Sequence, residues 1–288
     1  MECDLWRMIV GEVLKIKAQH DGRWTFAVSD VVRTYFWAVL QNKPVSWACD
    51  RRNWPLSAWR QPLPTPSTMS RRLRTLAVQE VIAAIEQTVL RQPGPTWVYA
   101  VDGKALPVSR HSGDPDAQFG RGAGGQDKGY KLHVLYGQNG SIAAYAVEPL
   151  NVDERVVARR LAEEAKVNGY VVGDANYDDN QLYEAVRQQE GQMLAPRKYG
   201  AGRGLGHHPH SPARLRAIAM LEGPNHAWAD ALLDSRDGIE RYFGTIACAH
   251  YGLDRLPPWV RTLRRVRMWV QVKLIIDRLA ALRRRMAG

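Results

Sequence analysis

The pattern of apolar and polar residues divides the chain into a helical part and a part that contains strands. Up to about residue 90 the apolar runs have helical spacing, and prolines interrupt them at Pro44, Pro55, Pro62, Pro64 and Pro66. Asp30 directly precedes the apolar run VVRTYFWAVL, where we expect it to cap a helix. In TPSTMSRRLRTL, a Thr or Ser cap precedes a helix that carries arginines on one face. The pattern therefore predicts a helical N-terminal region.

From Trp97 onwards the pattern changes to short strands. Gly-rich or Gln-Asn-Gly turns separate three apolar or alternating runs, WVYAVD (97–102), YKLHVLY (130–136) and IAAYAV (142–147), which predict an antiparallel meander. Residues 153–165 have helical periodicity, and YVVGD (170–174) then indicates a buried strand. Strands, a helix and a further strand predict an α/β sheet in which the first and fourth strands lie parallel and adjacent. We expect the glycine-rich stretch at 120–125 to form a flexible loop.

Both of these strands end in an aspartate. Asp102 and Asp174 are 174 − 102 = 72 residues apart, yet parallel strands would bring both to the same carboxyl edge of the sheet. Two carboxylates at one edge repel each other unless a cation joins them. Magnesium prefers such oxygen ligands, so the two aspartates form the first half of a candidate metal site.

A third acid, Glu240, lies in the segment DSRDGIERYFGTIACA. A helix there has a buried face formed by residues at helical spacing, namely Ile239, Tyr242, Phe243 and Ile246. If this helix packs across the sheet, it brings Glu240 to the strand ends. The spacing equally allows Glu240 to pair on the surface with Arg236, one turn earlier.

Composition and charge narrow the classes of partner. The 288 residues carry 40 Lys and Arg against 29 Asp and Glu, a net charge of +11, which points to a polyanion. No stretch approaches ~18 uncharged apolar residues and the N-terminus lacks an export signal, so we expect a cytoplasmic, nucleoid-associated protein. We expect Cys3, Cys49 and Cys248 to be free thiols, because they are too few and too scattered for a disulfide framework.

The basic residues are concentrated in three segments, 51–75, 191–221 and 255–288, which together contain a single acid, Asp277. Such segments favour an extended anionic ligand that spans several parts of the surface. Each of them could also be a solvated helix face.

Several motifs in order resemble those of the DDE transposases of bacterial insertion sequences, closest to the IS-five and IS-four types. They are LPTPSTMSRRLRTL (63–76), VDGK with Asp102, GYKLHVL (129–135), EPLNVDE (148–154), GDANYDD (173–179), MLAPRK (193–198) and RDGIERYFGTI (236–246). The resemblance covers about residues 60 to 255. One such motif would be a weak signal, whereas the ordered set is a strong one.

The resemblance implies a fold, an activity and a site. It implies an α/β fold with a ribonuclease-H-like mixed sheet flanked by helices and a helical N-terminal region. The domains would be a DNA-binding region (1–90), the catalytic domain (91–256) and a basic C-terminal helix (257–288). Asp102, Asp174 and Glu240 would be the catalytic triad and would hold two Mg²⁺ ions, with Mn²⁺ as a substitute. The enzyme would cleave the element's ends and join them to target DNA by two-metal phosphoryl transfer.

The expected partner is double-stranded DNA, both the terminal inverted repeats and the target, bound by a homodimer. Basic residues on the predicted Arg-bearing helix or beside the motifs are candidates for contacts with phosphates, although each could be a plain surface charge: Arg71, Arg72, Arg74, Lys128, Lys131, Arg197, Lys198, Arg236 and Arg241. The sequence departs from the family signature at Leu233 and Ala247, which occupy the positions of a Tyr and of a phosphate-contacting Lys.

Alternative functions remain at this level. The chain could be a catalytically silent, transposase-derived DNA-binding protein, or another ribonuclease-H-like nuclease such as a junction resolvase. The C-terminal segment has Leu263, Val266, Val270 and Leu274 at helical spacing. We expect it to cover the catalytic domain; contact with DNA or with a second subunit is the alternative.

Overall fold

The computed structural model describes most of the chain, namely residues 2–17, 24–91, 96–122, 124–200, 204–205, 207, 209–224 and 226–287. In chain order, the helices are α1 (Glu2–Lys15), α2 (Val28–Leu40), α3 (Val45–Ala48), α4 (Pro66–Arg72), α5 (Leu76–Val89), α6 (Glu154–Ala165), α7 (Asn180–Gln188), α8 (Pro212–Glu222), α9 (Ala227–Asp234), α10 (Asp237–Cys248) and α11 (Leu263–Ala287). The strands are β1 (Val98–Pro107), β2 (Gln118–Gly122), β3 (Gly125–Gly137), β4 (Ile142–Pro149), β5 (Tyr170–Val172) and β6 (Gln192–Leu194). The predicted α/β class is confirmed.

The described strands form a single mixed sheet of six. Strand β3 lies between β1 and β4 and is antiparallel to both, which confirms the predicted meander. Strand β5 is parallel to β1, and β6 is parallel to β5. Strand β2 forms a hairpin with the start of β3, so the expectation of a loop at 120–125 is wrong. Strands β2 and β6 of this sheet have no counterpart among the predicted elements.

The register between β1 and β5 brings the two aspartates level. Ala100 pairs with Val172, an offset of 172 − 100 = 72 residues. Asp102 and Asp174 have the same offset and lie two residues further along each chain. Because a slip of one residue would turn a side chain to the other face, this register decides where the carboxylates lie.

The chain divides into two compact units. A helical unit contains Met1–Gln92, Cys248–Leu253 and Arg264–Gly288, and a sheet unit contains Pro93–Ala247 and Asp254–Leu263. Nearly all of α11 therefore groups with the helices of the N-terminal region. Its row of apolar residues is buried there, because Val266, Val270 and Leu274 have no exposed surface.

Capping residues explain where several helices begin. Thr65 caps α4 by accepting the Thr68 amide at 3.3 Å. Helix α2 begins before Asp30, whose carboxylate accepts the amide of Ala27 at 3.1 Å, so Asp30 caps from inside the first turn. In the sheet unit, Asp153 caps α6 by accepting the Arg155 amide at 2.9 Å. These caps were within reach of sequence analysis because they are local.

A cluster of tryptophans forms the aromatic part of the helical unit's core. The rings of Trp6, Trp37 and Trp54 have centroids 5.0 to 5.6 Å apart. Trp37 donates its indole N–H to the carbonyl of Asn53 at 2.9 Å, and Trp54 donates to Ala48 at 2.6 Å. Hydrogen bonds that satisfy the buried N–H groups fix the rings in orientation as well as in position.

Lys273 of α11 is fully buried in the same unit. Its ammonium donates to the side chain of Asn42 at 2.8 Å and to the carbonyl of Tyr251, and it lies 5.1 Å from the ring centroid of Trp269. Burial lowers the pKa of Lys273 to about 7. On the next turn, Asp277 accepts the Tyr251 hydroxyl at 2.9 Å, and burial raises the pKa of its carboxyl.

Two further expectations concern membranes and thiols. None of the helices in the described ranges is long and apolar enough to cross a membrane. Cys49 and Cys248 are free thiols, as predicted. The side chain of Cys3 lies outside the described residues.

The depressed pKa of Lys273 predicts how stability depends on pH. Between about pH 7 and 10, the unfolded chain holds a proton on this lysine that the folded chain lacks, so the free energy of unfolding rises with pH. This lysine contributes a slope of up to ~1.4 kcal/mol per pH unit, and Lys273→Met removes that contribution. Urea unfolding between pH 7 and 9.5, followed by tryptophan fluorescence, measures the difference. The exposed Lys43 of the same unit supplies the control Lys43→Met, which should keep the slope; an unchanged slope in Lys273→Met would contradict the prediction.

Candidate active site

Asp102 and Asp174 each lie two residues beyond the last pair that joins β1 to β5. Strand β1 continues to Pro107 beside β3, so the expectation that it ends at Asp102 is wrong. Asp102 lies within β1 and accepts the amide of Gly103 at 2.7 Å. Asp174 follows β5 and begins a short turn, in which it accepts the amide of Asn176 at 2.8 Å. Each carboxylate is thus oriented by a backbone N–H of its own segment.

The electrostatics of Asp102 indicate that the two carboxylates are close. The pKa of Asp102 is raised to about 6, chiefly by burial, and the charges of Asp174 and Glu154 contribute to this rise. The Gly103 amide and the charge of Arg236 act in the opposite direction. A carboxyl whose pKa is raised by burial and by neighbouring acids is a common feature of sites that bind a cation or a proton.

Glu154, the first residue of α6, is a member of this cluster that the sequence analysis did not single out. Its carboxylate pairs with Lys131 of β3 and accepts the hydroxyl of Tyr177 at 3.2 Å. Tyr177 is buried, and its pKa is raised well above the usual value by burial and then by Glu154, Asp102 and Asp174. The EPLNVDE motif contains Glu154, but nothing local to the motif shows that α6 brings it close to Asp102.

Gly173 allows Tyr177 to pack beneath this edge. A Cβ at position 173 would lie 2.9 Å from the Tyr177 ring and 3.0 Å from Met193, closer than carbon atoms normally approach. The space between β5 and Asp174 therefore fits a glycine and leaves no room for a larger side chain. The glycine lets the buried tyrosine pack against this segment and reach Glu154.

Helix α10 lies on the face of the sheet that carries Asp102. Across β1 and β3, Asp102 is opposite Val134 and Ala100 is opposite Tyr136, and opposite residues share a face. Tyr242 of α10 stacks on Tyr136 with ring centroids 4.9 Å apart. The helix also buries Ile239, Phe243 and Ile246, as its spacing predicts.

Glu240 does not join the two aspartates. It forms an ion pair with Arg236 at 2.7 Å, and its side chain is 51% exposed. With ~100° between successive helical residues, Glu240 lies roughly a quarter turn away from the buried row of α10. The surface pairing that the spacing allowed is therefore the one observed.

The donor chemistry fits a divalent cation only in part. Asp102 and Asp174 offer oxygen ligands, and a cation between them would relieve their repulsion. Within the described ranges, no group of three or more His, Cys, Asp or Glu side chains could hold a metal ion. Asp102, Asp174 and Glu240 therefore do not form one coordination shell in this conformation.

The arginines predicted to contact DNA on α4 do not share one environment. Arg71 and Arg74 are exposed. Arg72 is only 2% exposed; it donates to the Phe26 carbonyl at 2.9 Å, and its guanidinium lies 4.6 Å from the ring centroid of Trp24. Because consecutive helical residues point in different directions, Arg72 faces the interior, which corrects its assignment to the DNA surface.

The other predicted contacts also divide into internal and exposed side chains. Lys131 is buried in its pair with Glu154, and Arg197 pairs with Glu222 at 2.5 Å. The ammonium of Lys128 donates to the carbonyl of Ser112 at 2.7 Å. Exposed side chains remain at Lys198 and Arg241. The positive charge of the sequence therefore overstates what the surface offers to DNA.

Comparison with known proteins identifies the family. No curated protein matches the chain. The family model of the transposase DDE domain matches residues 93–276, which is more than half of the 288 residues and contains Asp102, Asp174 and Glu240. This chain therefore belongs to the transposase DDE domain family.

Proposed function

We propose that this protein is the DNA transposase of an insertion sequence of the IS-five/IS-four type, which cleaves the element's ends and joins them to target DNA. Membership of the family implies an enzyme that cuts and transfers DNA strands. The observation that carries the proposal for this chain is the common offset of 72 residues, which brings Asp102 and Asp174 level on neighbouring parallel strands. Mapping inverted repeats in the DNA beside the coding region would supply the substrate for its tests.

We further propose that the sheet is ribonuclease-H-like. The order β4-β3-β1-β5-β6, with the first three strands antiparallel and the last three parallel, supports this assignment. The carboxyl ends of the parallel strands β1, β5 and β6 then form the edge at which a substrate binds. Superposition of an experimental structure of this protein on that of a ribonuclease H would test the assignment directly.

The proposed ligands of Mg²⁺ are Asp102, Asp174 and Glu240. Bound there, the metal would lower the pKa of a water or a 3′-hydroxyl and neutralise charge on phosphorus. The chain's own task is to bring Glu240 to the aspartates, which requires it to leave Arg236. An exposed ion pair contributes little free energy, so its exchange for a metal ligand is feasible. Arg236 would then be available for a phosphate oxygen of the DNA.

A second candidate is a catalytically silent DNA-binding protein. The pairing of Glu240 with Arg236, and the lack of a three-acid cluster in the described residues, favour this alternative. The two candidates differ in one observable: both bind DNA, but only the enzyme cleaves the element's ends when Mg²⁺ is added.

Replacement of the proposed ligands tests the assignment. Asp102→Ala, Asp174→Ala and Glu240→Ala should each reduce Mg²⁺-dependent end cleavage by more than about 100-fold, because each removes a metal ligand. Binding to duplex DNA should stay within about threefold, since carboxylates without metal repel phosphate. Gel-based cleavage and anisotropy binding assays measure the two quantities.

The matched control is Asp234→Ala, which removes an exposed acid from the end of α9. It should leave cleavage unchanged. Full cleavage by a folded Asp174→Ala protein would contradict the assignment of the triad. If Glu154→Gln abolished cleavage while Glu240→Ala did not, the third ligand would be Glu154 and the assignment of Glu240 would be wrong.

Exposed arginines on α4 predict the salt dependence of DNA binding. If Arg71 and Arg74 contact phosphates, replacing both by Ala should flatten the slope of log affinity against log salt by up to about 2, because each contact releases counterions. Arg72→Ala should instead leave the slope unchanged and lower the free energy of unfolding by ~1–3 kcal/mol, since it removes a buried hydrogen bond. Binding measured from low to moderate salt tests both expectations, and an unaltered slope in the double variant would exclude the contacts.

We also propose that the protein is monomeric alone and dimerises on its DNA ends. Two ends must be joined to one target, which needs two active sites, while a net charge of +11 makes free copies repel each other. Light scattering should give the mass of one chain without DNA and of two chains with paired ends. Efficient joining of paired ends by complexes that contain one protein copy would refute the dimer.

A further inference from the structure

Lys131 lies against the part of the backbone that carries Asp102. Its Cα is paired with that of Ala105 on β1, and its side chain extends over Gly103, where a Cβ would lie 2.8 Å from its Cδ. The side chain of Lys131 is 8% exposed, and its ammonium forms an ion pair with Glu154. The glycine that follows Asp102 therefore leaves room for a buried cation to reach Glu154 along the sheet.

Tyr177 makes a corresponding contact beside Asp174. Its ring occupies the space next to Gly173, and its hydroxyl donates to Glu154 at 3.2 Å. The two contacts use different oxygens of the Glu154 carboxylate, Oε1 for Lys131 and Oε2 for Tyr177. This carboxylate thus connects strand β1 to the turn that follows β5, and each contact passes beside a glycine next to an aspartate. We call the arrangement the Glu154 bridge.

The bonds of Glu154 favour a positioning role over direct binding of a cation. Both carboxylate oxygens accept bonds from within the protein, and the side chain is only 25% exposed. Glu154 and the two aspartates are among the described residues, in which no group of three or more His, Cys, Asp or Glu side chains could hold a metal ion. Glu154 is close enough to Asp102 for its charge to help raise the pKa of that carboxyl. It therefore lies near the proposed ligands but is already bonded to other side chains.

We propose that the Glu154 bridge, formed with Lys131 and Tyr177, holds Asp102 and Asp174 in the orientation that binds a divalent cation. The inference rests on the proposed metal site and adds no ligand to it. Groups that support ligands from behind orient them and raise the affinity for the metal. Here the support acts through the backbone, because the two contacts of the bridge pack beside the glycines that adjoin the aspartates.

Metal binding without DNA provides the first test. Mn²⁺ is the probe, titrated by calorimetry, and Asp102→Ala identifies the site by abolishing binding. Lys131→Met should weaken Mn²⁺ binding by about tenfold, the range for residues that orient ligands. Charge alone predicts the opposite, since removing a cation near a metal ion tightens its binding. Tighter binding in Lys131→Met, which is also expected if the released Glu154 became a ligand, would overturn the inference.

Arg160→Met is the matched control for Lys131→Met. Arg160 lies on α6 and pairs with Glu148 of β4, so this variant also removes the cation of an ion pair between α6 and the sheet. It should keep the affinity for Mn²⁺ within about twofold of the wild type. A tenfold loss in Arg160→Met would show that any ion pair of α6 has this effect, which would contradict the bridge.

Tyr177→Phe tests the other half of the bridge without a change of charge. It removes one hydroxyl and should also weaken Mn²⁺ binding by about tenfold. The matched control is Tyr183→Phe, because Tyr183 is also fully buried and its hydroxyl donates to the carbonyl of Ala195 at the same distance of 3.2 Å. Tyr183→Phe should leave the affinity within about twofold. An equal loss in both tyrosine variants would reveal a general effect of stability and refute the positioning role.

Amide exchange in the absence of metal measures the orientation of the aspartates themselves. The backbone amides of Gly103 and Asn176 donate to the two aspartates at 2.7 and 2.8 Å. Lys131→Met should speed the exchange of the Gly103 amide, and Tyr177→Phe that of the Asn176 amide, each by about tenfold, because local opening becomes more frequent. Exchange rates measured by NMR report each amide separately.

The two measurements separate this inference from the proposed function. If the wild-type protein bound no Mn²⁺ that Asp102→Ala removes, the proposed metal site would be wrong, and amide exchange would still decide whether the bridge orients the aspartates. Exchange that is unchanged at both amides would overturn the inference. So would a rise that is equal throughout the sheet, which is what a purely structural ion pair predicts. None of these readouts involves end cleavage, so a failed transposase assignment would be recognised separately.

Discussion

The parallel pairing of β1 with β5 is the constraint on which the candidate active site depends. Three aligned pairs, from Val98 with Tyr170 to Ala100 with Val172, set the register of the two strands. Asp102 and Asp174 follow at the same offset. The two carboxylates therefore come close because of backbone geometry. The pairing of the strands holds them there against their mutual repulsion.

A half-buried carboxylate, that of Glu154, connects this edge to neighbouring elements. Glu154 connects the start of α6 to β3 through Lys131 and to the turn after β5 through Tyr177. Breaking a buried pair by removing one partner leaves an uncompensated charge, so such a group holds its elements in one arrangement. The proposed ligand Glu240, by contrast, lies on a helix margin in an exposed pair with Arg236. The proposed site thus combines two aspartates that the strand register brings level with a proposed third ligand that is exposed and paired with Arg236.

The fold decides which arginines of the sequence remain exposed to a ligand and which are used within the protein. In the sequence, 51–75 is a block of positive charge without acids. In the structure, Arg51 orders the segment 55–62 and Arg72 is packed on Trp24, while Arg71 and Arg74 remain exposed. Buried guanidinium groups are satisfied by carbonyls and aromatic rings, which a count of charges does not reveal.

The sequence by itself determined the local elements and their order. Periodicity located β1, β3, β4, β5 and α6, and the chain order of strands and helix implied that β1 and β5 are parallel neighbours, which placed Asp102 and Asp174 at one edge. It missed β2 and β6, since β2 is rich in glycine and β6 is only three residues long. The tertiary structure alone decided that Glu154 lies beside Asp102, that Arg72 is inside, and that α11 groups with the helical unit. The physical reason is range: hydrogen-bond periodicity and capping act within a few residues, whereas burial and Coulomb interactions depend on distances between elements remote in the chain.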